Sequence, residues 1–307
     1  MPRFFGPVIL LLCLFLNPAG ADDLNDVRSR GILRHLGIPY ANFVTGSGDG
    51  LDVEIVQLFA RSLDLEYEFV PTTWKSAIGD LTGRDMASGH RVPVRGDVVA
   101  NGFTILGWRK QLVSFSVPTF PSRIWLVANA NDPMVPIVPG SGTDREISMV
   151  REMIQGRDVL GVARTCLDPK LYGLDENNAG IRYFQGRLND LAPAVISRDA
   201  ELALMDVPDA LVALEKWPGQ IKIIGPVSRR QNMAVAFRKE SPALRRAFNL
   251  FFMEIRARGT YQALIEKYYP VFPEYYPDFF AEYPVGEYAV GEYAVGEYPG
   301  SSPRGKE

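Results

Sequence analysis

Short stretches at residues 32–38, 98–100, 159–162, 181–184 and 221–224 have the length and apolar content of strands buried in a sheet. Leu65, Tyr67 and Phe69 alternate with Glu66 and Glu68, which predicts a further strand with one polar face. Leu51, Ile55, Leu58 and Phe59 recur at helical spacing behind the tight turn Gly46-Ser47-Gly48-Asp49-Gly50. Leu244, Phe248, Phe251 and Ile255 form a second such stripe, with Ser241 as its cap, Pro242 in its first position and Gly259 at its end. Helices are also predicted over 22–30, 145–154 and 188–197, and another begins at Pro208. Strands that alternate with helices in this way make an α/β chain.

The two ends differ in kind from what lies between. Arg3, an apolar run over 8–16 and then Ala19-Gly20-Ala21 read as a secretory signal peptide, residues 1–21, cut before Asp22. The run is too short to span a membrane. Cys13 follows Leu12, where a lipoprotein signal needs a small residue, so a soluble exported protein is expected. At the other end, residues 281–307 carry Val-Gly-Glu-Tyr-Ala repeats from Val285 and Val290 and a third from Val295 that ends in Pro. This low-complexity tail has no core-forming pattern and is expected to be disordered. About 260 residues remain, enough for two modest domains with their own cores.

Loss of the signal removes one positive charge, Arg3, and takes the formal charge from −3 to −4, which argues against nucleic acid as a partner. One cysteine then remains, Cys166, so no intrachain disulfide is possible, and it reads as a buried core thiol. The whole chain holds two histidines, His35 and His90, which leaves little for a metal site or a catalytic triad. No cofactor is expected. The Gly46–Gly50 cluster lacks the Gly-Lys-Ser/Thr ending of a phosphate loop.

The stretch that carries candidate chemistry is 98–116. Behind its short strand, Gly102 lets backbone approach a ligand, Thr104 supplies a hydroxyl, and Arg109 supplies a planar fork of donors matched to a carboxylate. On spacing alone, an Arg beside Lys110 reads equally as a solvated surface charge. Tyr40 and Phe43 follow the first strand and Trp74 follows the second, where ligands collect in open α/β sheets; as ordinary loop aromatics they need no ligand. Asp206 is a good N-cap, with Pro208 in the first turn and Asp209 three residues on.

Thr104, Arg109 and Val113-Ser114-Phe115-Ser116-Val117-Pro118, together with Gly50-Leu51-Asp52-Val53-Glu54-Ile55, resemble the bacterial extracellular solute-binding proteins of family 3, which bind polar amino acids. Leu244-Arg245-Arg246-Ala247, Gly259-Thr260-Tyr261 and Glu266-Lys267-Tyr268 resemble that family's closing helices, so the resemblance covers about residues 25 to 270.

It implies the two-lobed periplasmic binding protein-like fold of type II, an α/β architecture in which two crossing strands form a hinge. Residues 123–129 and 233–237 would be those strands, residues 22–124 and 233–280 the discontinuous first lobe, and 125–232 the second. Arg109, Thr104 and Gly102 would then hold a ligand carboxylate, Asp206 would take its α-ammonium, and Tyr40, Phe43 and Trp74 would wall it. Thr165 stands where the family reaches the carboxylate from a Gly-Thr pair, but Arg164 replaces the glycine. Residues 83–95 contain an inserted polar loop near the pocket mouth.

The resemblance implies a periplasmic monomer that delivers an amino acid or similar small carboxylate to the permease of an ABC importer. Cyclohexadienyl dehydratases share the fold and are the enzymatic alternative. A sensor or accessory binding protein without a transporter is the other.

Overall fold

The computed structural model describes residues 23–281. The leader reading and the Val-Gly-Glu-Tyr-Ala repeats lie outside them, whereas Ala281 ends a short helix. Among the described residues no helix is long and apolar enough to cross a membrane.

Two five-stranded sheets form the two lobes. The first runs in the order β2-β1-β3-β12-β4, from β1 (Ile32–Gly37), β2 (Glu66–Pro71), β3 (Val98–Val99), β4 (Ser114–Phe115) and β12 (Ala236–Phe237). Strands β1, β2 and β3 are parallel, and β12 is antiparallel to both its neighbours. The polar face expected of β2 fits its place at the edge of the sheet. Helix Leu51–Ser62 forms as its spacing predicts and packs on helix Pro242–Ala257, where the Phe59 and Phe248 rings meet edge to face at 5.2 Å.

The second sheet has the order β10-β6-β9-β7-β8, built from β6 (Ile124–Asn129), β7 (Asp158–Gly161), β8 (Gly180–Tyr183), β9 (Leu202–Asp206) and β10 (Ile221–Pro226). Here the structure differs from the sequence reading. Residues 123–129 were expected to cross between lobes, yet β6 pairs antiparallel with both β9 and β10 inside the second sheet. The apolar content of β6 follows from burial on both faces. The link between lobes comes just before it, where β5 (Phe120–Ser122) pairs antiparallel with β11 (Gln231–Met233). These two short strands lie in neither large sheet.

Two helical segments that the sequence reading did not foresee, Phe272–Tyr275 and Pro277–Ala281, lie against this crossing. Phe120 of β5 packs on the rings of Tyr269, Phe272 and Phe280, Trp125 of β6 meets Tyr275, and Arg230 lies over Phe279. The end of the described chain thus touches the crossing and both of its flanks.

Candidate binding cleft between the lobes

Arg109 lies on a single helical turn, Gly107–Lys110, and is 2% exposed. Its Nη1 donates to the Thr104 carbonyl at 2.9 Å, and its guanidinium lies 3.9 Å from the Phe103 ring centroid and 5.3 Å from that of Trp108. Its Nε has no partner, and among the described residues Arg109 forms no ion pair. Burial lowers its pKa to about 10, which leaves it charged at neutral pH. The Thr104 hydroxyl and both ends of the Asn101 amide are likewise buried without partners. Thr104 pairs through a β-bridge with Met233, at the crossing between lobes.

The expected role of Gly102 takes a different form. Its φ of +65° lies in the left-handed region, and a Cβ there would stand 2.6 Å from the Phe43 ring. Its amide donates to Asp52 Oδ2 at 2.7 Å, so that donor is already occupied. The glycine therefore makes room for Phe43 and docks the start of helix Leu51–Ser62. Phe43 was expected to wall the ligand, but it is fully buried in the lobe core against Phe120 and Tyr269. Tyr40 and Trp74 are the rings at the cleft, where they meet edge to face at 5.4 Å, and Trp74 stacks on Phe103.

Across the cleft, Asp206 ends β9 and caps helix Val207–Lys216, accepting from the Asp209 amide at 3.1 Å. Its other oxygen accepts from the Tyr40 hydroxyl of the first lobe at 2.5 Å. The Ala41 amide adds a second bond between lobes, to Asn189 Oδ1 at 3.0 Å. Asp206 is completely buried, and that burial raises its pKa to about 6 against the bonds from Tyr40 and the Asp209 amide. Asp209 is pushed up further by its own burial and by the charge of Asp206.

Thr165 does not present its side chain as expected. Its hydroxyl donates to the Val162 carbonyl at 2.8 Å and accepts from the Leu167 amide at 3.0 Å, so it closes its own turn. The neighbouring Cys166 is buried in the core, as expected, at the edge that meets the cleft. Its Sγ lies 4.0 Å from Asp206 Oδ2 and close to the Thr104 hydroxyl. Burial pushes this thiol up to about 12, so it stays protonated and serves as a weak donor. Tyr172 was missed; its hydroxyl donates to the Cys166 carbonyl and accepts from Gln231 Nε2 at 3.0 Å. No spacing signal marks either residue, since both come to the cleft through turns.

Outside this inner set lies a cavity of about 340 Å³, with Trp74, Lys75, Met86 and Trp108 on one side and Arg164 and Asp168 on the other. Met86 belongs to the loop read as an insertion, which therefore does reach the mouth. Asp85 of that loop accepts from the amides of Ala87 and Ser88 and from the Ser88 hydroxyl, so its carboxylate serves its own turn.

The family model for bacterial extracellular solute-binding proteins, family 3, matches residues 37–271. The chain belongs to this family. Among curated relatives, the L-cystine-binding protein TcyJ of Escherichia coli K12 is 28% identical over 261 residues, which is 80% of this chain and 85% of that protein. Among solved structures, a mutant of the arginine-binding protein ArgBP of T. maritima superposes with a TM-score of 0.65 at 23% identity, covering 81% of this chain and 99% of that one. The ancestral amino acid-binding protein AncCDT-1, a precursor of cyclohexadienyl dehydratase, superposes with a TM-score of 0.63 at 23% identity, covering 81% and 100%. At that identity the two structures show the shared two-lobed fold.

The family match stops at residue 271, so the helices over 272–281 that pack on the crossing lie beyond it. Arg164, at the place read as the family's glycine, keeps a backbone φ of +62°, the conformation a glycine would adopt without strain.

Proposed function

We propose that this protein is a periplasmic binding protein that captures an amino acid, or a similar small carboxylate, between its closing lobes and delivers it to the permease of an ABC importer. The observation that carries the reading is Arg109, a buried cation with no counter-ion among the described residues, held in the same cleft as the buried Asp206. The Phe103 ring and the Thr104 carbonyl offset part of the cost of burying that charge, and a ligand carboxylate would offset the rest. A ligand ammonium would take the place of the Tyr40 hydroxyl on Asp206. Because the anion site is on one lobe and the cation site on the other, a zwitterion stabilises the closed arrangement over the open one. The amino-acid ligands named for TcyJ and ArgBP agree with this class.

A specific observation also favours an enzymatic reading. Asp206, with its pKa near 6, is placed as a general acid in a cleft whose relative AncCDT-1 is a precursor of a dehydratase.

The test is thermal unfolding of the mature protein against amino acids, dicarboxylates and prephenate, with Arg109→Met beside the wild type. A ligand at a hundred times its dissociation constant stabilises by about 2.7 kcal/mol. The expected result is a shift with one amino acid that disappears in Arg109→Met. A shift that survives the substitution defeats the carboxylate assignment, and release of phenylpyruvate from prephenate establishes the enzyme.

A further inference from the structure

The outer cavity has a charge pattern that the inner site does not explain. Lys75 and Arg164 reach it from opposite lobes, and among the described residues neither forms an ion pair. Lys75 acts on Asp85 only at longer range, and the Asp85 carboxylate is already held by its own turn. Asp168, the one carboxylate that lines the cavity, accepts from the Tyr183 hydroxyl at 3.1 Å and from the Lys170 amide at 3.2 Å, with the Arg164 amide at 3.4 Å. With two cations and this one carboxylate among its described lining residues, the cavity carries a net positive charge. The indoles of Trp74 and Trp108 supply flat walls, and Trp108 also borders the Arg109 guanidinium.

Arg164 holds a left-handed backbone conformation that a glycine would adopt freely. Its side chain lines the cavity, facing Lys75 of the other lobe. We infer that this outer compartment recognises a second anionic group on the ligand, at the end of a long apolar or flat stem. The inference rests on the zwitterion reading of the inner site and names its substrate class: amino acids whose side chain ends in a carboxylate. The volume of about 340 Å³ leaves space for a stem longer than that of glutamate, and lies within the size range of small-ligand pockets. The same two cations disfavour arginine, the ligand named for the structural relative.

The experiment is calorimetric titration of the mature full chain with L-2-aminoadipate, S-(2-carboxyethyl)-L-cysteine, L-cystine, L-norleucine, L-arginine and adipate. The expected result is at least tenfold tighter binding of the acid-ended amino acids than of norleucine or arginine. The double variant Lys75→Gln, Arg164→Gly should remove that preference. Cystine carries an ammonium beside its second carboxylate. Selective binding of cystine over the two simple acids, lost in the double variant, supports the outer anion site with Asp168 as partner to the ammonium.

Arginine or norleucine binding as tightly as the acids, or a preference that survives the double substitution, overturns the inference and leaves the inner site standing. Adipate binding that depends on Lys75 and Arg164, with every amino acid silent, overturns the zwitterion reading and supports the outer site. Silence of all six compounds overturns both.

Discussion

Asp97 and Arg109 are both buried charges of the first lobe, and they are accommodated in opposite ways. The Asp97 carboxylate accepts from Arg30 Nη2 at 2.7 Å and, through both oxygens, from Arg34, with Arg238 Nη2 at 3.6 Å. Those bonds hold its pKa below the ordinary carboxylate value although burial pushes it up. Arg109 is as deeply buried but has aromatic faces and one carbonyl in place of a carboxylate. A charge that serves only the fold is surrounded by its opposites. A charge left without one, in a cleft with other orphaned donors and acceptors, is held ready for a partner from outside.

The largest expected effect is on the paired side. Asp97→Ala leaves three arginines facing one another; because they are partly exposed, the loss should be about 2–3 kcal/mol, below the figure for fully buried pairs. Thermal unfolding should show a midpoint several degrees lower with ligand affinity unaltered. The pH dependence has a definite sign. The folded pKa of Asp97 lies below its unfolded value near 4, so its stabilisation is complete above that value and is lost as pH falls through the folded pKa. The alanine variant should lack this acid-side loss.

Asp206 should behave in the opposite sense. Its folded pKa of about 6 lies above the unfolded value, so the ligand-free protein is relatively stabilised at low pH and loses that stability as pH rises towards 6. A ligand ammonium needs the ionised form. Affinity should therefore fall by about tenfold, or 1.4 kcal/mol, for each pH unit below 6. Tyr40, Cys166 and Asp209 face the same carboxylate, so Asp206→Asn is the control: its binding should be weak and flat with pH when followed by calorimetry.

Arg164→Gly removes the second class of unpaired cation together with its left-handed backbone. It should raise the unfolding free energy by about 1 kcal/mol in denaturant titration. A loss of stability would show that the Arg164 side chain holds the fold. The smallest effect is expected from Arg109→Met without ligand. Removing a buried cation that has no counter-ion among the described residues, and with it the Phe103 and Thr104 contacts that offset its burial, should leave stability within about 1 kcal/mol of the wild type, whereas a loss as large as that of Asp97→Ala would mean that Arg109 has a structural partner and the contrast fails.

Much of the fold was legible because apolar spacing follows the period of each element. The stripes of helices Leu51–Ser62 and Pro242–Ala257 and the cap at Asp206 needed no tertiary context. The crossing was misplaced because β6 is more apolar than β5, and apolar content reports burial rather than position between lobes. Among the cleft residues, Arg109, Thr104, Tyr40, Trp74 and Asp206 were marked by residue type and by resemblance. Phe43 and Thr165 were marked by the same signals, yet Phe43 turns into the core and Thr165 bonds within its own turn, because a few degrees of loop backbone decide which way a side chain points.

The sequence by itself determined the α/β alternation, the family and the residue types available to grip a zwitterion, since these depend on local period and side-chain chemistry. Only the tertiary structure decided that Arg109 would be buried without a counter-ion among the described residues, that Tyr40 would reach Asp206, and that Cys166 and Lys75 would meet the cleft. Those contacts join residues far apart along the chain, and burial and pairing are properties of the packed lobes that no local pattern encodes.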